Sequence, residues 1–145
     1  MEKDTNKLSD LAKSICAVID ISISYTTEYL DQTQRITSKK DLQSSYYAFC
    51  VKLLSVINKI DDITNDISHM IISLDMANDI KGITYANSLC DRLISARVTF
   101  QEFLESGEKI IKNEELPYLS SALRKEVDIL TRKIILSKDE FKKYV

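Results

Sequence analysis

Asp66 and His69, three residues apart in the stretch NDISHM, are the pair best placed to do chemistry. His69 is the sole histidine, and this spacing stacks both side chains on one helix face. A carboxylate-bridged metal centre in a helical bundle needs two Glu-x-x-His motifs and two further inward glutamates, which one histidine does not supply. A Ser/His/Asp or Cys/His pair needs a cleft shared by base and nucleophile. An Arg/His pair of the kind used by some helical ribonucleases finds no arginine within four residues ahead of His69.

Phosphotransfer needs only an exposed histidine. Histidine phosphotransfer domains are four-helix bundles that carry a base three residues after the acceptor histidine and a glycine at the fourth. Here those positions are Ile72 and Ser73, and Asp62 and Asp66 add negative charge beside any phosphoryl group. Placing residues 100° apart around a helix sets Ile60, Ile67 and Leu74 on its buried side and Asp62, Asp66 and His69 nearly opposite, so His69 is expected to face water. Phosphotransfer through His69 stands as the third reading. The expectation is a protein with no catalytic residue, metal ligand or cofactor.

The element carrying His69 shows the clearest pattern in the chain. Tyr46, Leu53, Ile60, Ile67 and Leu74 recur every seven residues, interleaved with Phe49, Val56, Ile63 and Met70, which is a packing seam. Ser38-Lys39-Lys40-Asp41 reads as the N-terminal cap of this second helix, and Gly82 as its C-terminal stop. The first helix spans about Asn6 to Arg35, with Leu8, Leu11, Ile15, Val18, Tyr25 and Tyr29 on its face and residues 1–6 frayed. The alternating Ile19, Ile21 and Ile23 also permit a strand, but the helical pattern on both sides overrides it. The third helix spans about Tyr85 to Lys112 with Thr84 as N-cap, and the fourth runs from Pro117 to about Lys142 with Leu119, Leu123, Val127, Leu130, Ile134 and Phe141 inward.

Short connections make an all-α, up-down-up-down four-helix bundle over residues 1–145, one domain. The second helix is the longest and either breaks within Leu74 to Asp79 or projects. A projecting end carrying Ile71, Ile72, Met76, Ile80 and Ile83 would need a partner, and a homodimer supplies one.

Composition narrows the partners. Two glycines and one proline exclude a glycine-rich phosphate loop, and a net charge of −2 with scattered lysines argues against nucleic acid. No run of 18 apolar residues exists, so no membrane span is expected. Cys16, Cys50 and Cys90 form no C-x-x-C pair and read as small buried hydrophobes in a cytoplasmic protein. Lysine outnumbers arginine and isoleucine is abundant, a bias that fits an AT-rich genome. The acidic run Glu102, Glu105, Glu108, Glu114 and Glu115 reads as a solvated face and loop.

Two surfaces remain. Tyr25, Tyr29, Tyr46, Tyr47, Phe49, Phe100, Phe103 and Tyr118 gather at one pole, where Gly107 removes volume and Arg97 borders the seam. Together they outline a candidate pocket for a small-ligand sensor, unless the rings simply fill a wide end of the bundle. Ala122, Ile129 and Leu136 form an extra apolar line on the fourth helix, which either touches both neighbouring helices, the commoner case, or is a candidate face for a protein partner or a second copy. The leading expectation is a non-catalytic helical interaction module, such as an adaptor, inhibitor, immunity-type or assembly protein, acting through a hydrophobic helix face.

Overall fold

A computed structural model describes residues 2–113, 115 and 118–145. Four helices account for nearly all of them: α1 (Glu2–Thr33), α2 (Lys39–Met76), α3 (Ile80–Asn113) and α4 (Tyr118–Lys142), and the described residues contain no strand. Each helix packs on its sequence neighbours, α1 closes the ring against α4, and α1 and α3 touch only sparsely across the diagonal. Cross-helix pairs run in opposite directions, Tyr46 against Leu104 and Asp61 against Arg97 on α2 and α3, Glu102 against Lys133 and Arg92 against Glu140 on α3 and α4. This is the expected four-helix bundle.

The seams lie where the seven-residue spacing sets them. Every residue of the Tyr46 to Leu74 line is buried, as are Phe49, Val56 and Ile63 of the second line and all six stripe residues of α4. Burying large aliphatic and aromatic side chains at about 25 cal/mol per Å² of apolar surface outweighs the mediocre helix propensity of the many isoleucines. On α1 the strand alternative falls, since Ile19, Ile21 and Ile23 lie in one uninterrupted helix.

The helix ends differ from expectation in four places. First, α1 begins at Glu2, not at Asn6, so residues 2–6 are helical where fraying was expected; Met1 lies outside the described residues. Second, α2 does not run on to Gly82 but ends at Met76, which is the expected break within Leu74 to Asp79. Asn78 takes the left-handed conformation (φ 55°), its N–H bonds the carbonyl of Asp75 and the Asp79 N–H bonds that of Leu74, each at 3.0 Å. That pairing is the Schellman termination, with asparagine in place of glycine.

Third, the N-cap of α3 is Asp79 and not Thr84: the Asp79 carboxylate accepts from the Gly82 N–H at 3.0 Å, while Thr84 sits inside the helix with its hydroxyl on the Ile80 carbonyl. Gly82 serves close approach instead, because a Cβ there would stand 2.6 Å from the Asp79 carboxylate and 2.8 Å from Leu74. Fourth, among the described residues no helix end projects from the bundle. Ile71 and Ile83 pack on the core while Ile72, Met76 and Ile80 surround an exposed turn, so the argument for a homodimer from a protruding α2 is lost. Ser38 caps α2 as expected, its hydroxyl accepting from the Asp41 N–H at 3.1 Å. The start of α4 at Pro117 lies outside the described residues.

Candidate functional site

At the pole shared by the end of α1, the start of α2 and the end of α3, the rings pack on one another. Tyr29 stacks on Phe49 with centroids 4.6 Å apart, Phe49 meets Phe103 at 5.5 Å, and Tyr46 lies 6.3 Å from Phe103. Gly107 is where Tyr46 goes. A Cβ on Gly107 would lie 2.8 Å from the Tyr46 ring, so the volume that glycine releases is occupied by that ring, whose hydroxyl donates to the Leu104 carbonyl at 3.2 Å.

Other members of the candidate pocket differ in exposure. Phe100 is fully buried. Tyr47 and Tyr118 are exposed. Tyr25 lies half-buried under the Lys52 ammonium, 5.3 Å from its ring centroid. Arg97 turns outward to α2, its Nε 2.7 Å from Asp61. The residues named from sequence are therefore partly brought together, with Tyr29, Tyr46, Phe100, Phe103 and Gly107 forming packed core and Tyr25, Tyr47 and Arg97 on its rim. A recess of about 30 Å³ between α1 and α2, bordered by Tyr25, Tyr29, Phe49 and Lys52, has room for a water or two and not for a ring-sized ligand.

Two features of this pole carry no signal in the apolar pattern. Ser22, Thr26 and Thr33 are buried on the same α1 face as Tyr29, and each hydroxyl donates to the carbonyl three residues earlier, so all three enter the core without an orphaned donor. Their small volumes make room for the rings of α2 and α3. Tyr29 is different, since among the described residues its buried hydroxyl has no hydrogen-bond partner. Burial pushes the Tyr29 and Tyr46 hydroxyls well above the usual tyrosine range. The opposite pole is also less aliphatic than its sequence suggests. Phe141 is buried there, and Tyr144 folds back on α3, its ring 5.1 Å from Tyr85, its carbonyl accepting from the Tyr85 hydroxyl and its own hydroxyl bonded to Ser88.

His69 and Asp66 are both exposed, on the side of α2 expected for them. They border a wide-open recess of about 330 Å³ with Lys7, Asp10, Leu11 and Met70 between α1 and α2. Among the described residues no group of three or more His, Cys, Asp or Glu is arranged to hold a metal. Cys16, Cys50 and Cys90 are free and half-buried rather than buried, and burial raises each thiol, which keeps it protonated and a poor nucleophile.

The extra line on α4 faces out beside the groove between α3 and α4. Ala122 is half-buried, Ile129 is 37% exposed and Leu136 is 65% exposed. Ile129 stands over Thr99, Glu102 and Ser106 of α3, and Leu136 over Arg92 and Ser95. A second apolar band, unmarked in the seam reading, lies on the outer side of α2 and α3: Tyr47, Val51 and Leu54 at i, i+4 and i+7, and Ile94 and Val98 at i and i+4, all exposed. Its signal was present in the spacing, because Tyr47 and Leu54 each follow a seam residue by one position and so ride its outer edge.

No family model, curated protein or solved structure matches this chain. The functional reading therefore rests on the surfaces themselves. Among the described residues no helix is long and apolar enough to cross a membrane.

Proposed function

We propose that this chain is a non-catalytic helical interaction module, of adaptor, inhibitor, immunity or assembly type, that binds protein through the outer face of α4. The observation that carries the reading is the pair Ile129 and Leu136, two large apolar side chains seven residues apart that stand exposed along a rigid helix while the main α4 stripe is fully buried. Removing such side chains from water on binding is worth about 1.5–3 kcal/mol each when burial is complete, and a rigid helix loses little entropy in presenting them. Three free cysteines go with a reducing, cytoplasmic setting.

Affinity capture from the native host tests this with a matched control. The wild-type chain is expected to retain a protein that the Ile129→Asp, Leu136→Asp variant loses, with helix content unchanged; Leu136→Asp alone, at the 65% exposed position, is expected to weaken capture with melting temperature unchanged as well. Equal capture by the two chains refutes the α4 face.

A further inference from the structure

We infer that this chain forms a two-fold dimer through the outer face of α2, with α2 of each copy lying antiparallel on α2 of the other about Val51. The inference concerns a different helix from the α4 reading and does not depend on it. No exposed position of α2 from Ser44 to Asn58 carries a charge, although charged residues make up 29% of the chain. Three of those positions, Tyr47, Val51 and Leu54, are large and apolar. Lys52, half-buried within the span, is held by Glu28 of α1. A strip of about four turns without an exposed charge suits the desolvated centre of an interface, where an unpaired charge is costly to bury.

The charges that bound the strip select a second copy as its occupant. Lys40 and Asp62 lie eleven residues before and after Val51, close to three turns of helix in each direction, so the three share one line on the outside of α2. Asp41 and Lys59 fall on the line of Lys52, the side next to α1. Tyr47 and Leu54 fall on the line of Asp61, the side next to α3, where Asp61 holds Arg97. Lys40, Asp41, Lys59 and Asp62 are all exposed, and among the described residues none of them has an ion-pair partner.

A two-fold axis that crosses α2 at Val51, running from the α1 side to the α3 side, reverses the helix and keeps each side facing its own. Lys40 then stands opposite Asp62 of the second copy, Asp41 comes within two residues of its Lys59, Tyr47 meets its Leu54 and Val51 meets itself. A parallel arrangement sets Lys40 against Lys40 and Asp62 against Asp62, so opposite charge selects the antiparallel one. Asp66 lies one turn beyond Asp62, outside the span. The α3 edge is mixed in sign: exposed Asp91 and Glu105 stand with exposed Lys109, while Arg97 and Glu108 are held by Asp61 and Lys112. From Lys40 to Asp62 the contact runs about 33 Å at about 1.5 Å per residue, and with the α3 edge it reaches the scale of about 800 Å² per partner.

Charge exchange in sedimentation tests the pairing. The wild type is expected to pass from monomer to dimer with concentration. Val51→Glu sets two carboxylates on the axis, at a position 66% exposed, and is expected to stay monomeric with helix content unchanged. Lys40→Glu and Asp62→Lys each create two like-charge contacts across the dimer and are expected to weaken it about tenfold. Both changes in one chain are expected to restore dimerisation, because Glu at 40 again faces the opposite charge at 62; a role of these residues within one copy, or toward a foreign protein, gives no such rescue. A wild type that stays monomeric at its highest soluble concentration overturns the inference, as does a Val51→Glu chain that dimerises like wild type or a doubly exchanged chain no stronger than its single variants. The Ile129→Asp, Leu136→Asp variant is expected to dimerise like wild type, so failure of the α4 reading in the capture experiment and failure of the dimer are read separately.

Discussion

Tyr29 puts a hydroxyl into the core next to Phe49 and leaves it without a bonding partner among the described residues. A buried donor left unmade costs about 1–3 kcal/mol, whereas losing the oxygen and keeping the ring preserves the stack. Tyr29→Phe is therefore expected to raise stability by about 1 kcal/mol, read as a melting-temperature gain of roughly 2–4 °C. A loss of similar size in a urea titration would mean that the hydroxyl has a partner, and the expectation would fail. Sequence spacing was enough to put Tyr29 on the inner face of α1, but an unsatisfied oxygen depends on what surrounds it in three dimensions, and no periodicity encodes that. Gly107 gives the same lesson: its place on the seam was legible, and the reason for it, the Tyr46 ring laid across it, was not.

At the scale of elements, the four helices and their inner faces could be read from seven-residue spacing because each residue of a seam repeats the same physical demand. The boundary between α2 and α3 could be read only as a break within Leu74 to Asp79, since a single position decides where it falls. Gly82 drew the reading because glycine is the usual left-handed terminator, yet Asn78 takes that conformation and the line of buried residues already stops at Leu74, followed seven residues later by Lys81. The positive φ of Asn78 makes a direct test possible. Asn78→Ala places a Cβ-bearing residue without a local side-chain bond in the left-handed region and is expected to cost about 1 kcal/mol, while Asn78→Gly is expected to be neutral or mildly stabilising. Equal chemical-denaturation midpoints for Ala and Gly would show that this turn does not depend on the left-handed residue.

The whole molecule joins these scales through protons. Tyr29 and Tyr46 are held neutral by burial at the centre of the aromatic half, so their folded pKa values lie above the value of about 10 that they have in the unfolded chain. Below that unfolded value both states carry the two protons and pH has no leverage through them. Above it the unfolded chain releases both while the folded chain keeps them, so unfolding is coupled to proton loss and stability falls as pH rises. With two protons released the slope approaches about 2.7 kcal/mol per pH unit, and the Cys50 thiol, also raised, contributes in the same direction from slightly lower pH. Urea unfolding followed by helix signal from about pH 8 to about pH 11 is expected to show a plateau and then this steep decline, with the tyrosinate absorbance of Tyr29, read as the difference between wild type and Tyr29→Phe because Tyr47 and Tyr118 are exposed, appearing together with loss of helix. Tyr29→Phe removes one of the two tyrosine protons and is expected to lower the slope by about 1.4 kcal/mol per pH unit. A Tyr29 tyrosinate that forms, in that difference, while the helix signal is intact would mean that the aromatic pole opens to water in the folded state, and would reopen the ligand-sensor reading of that pole.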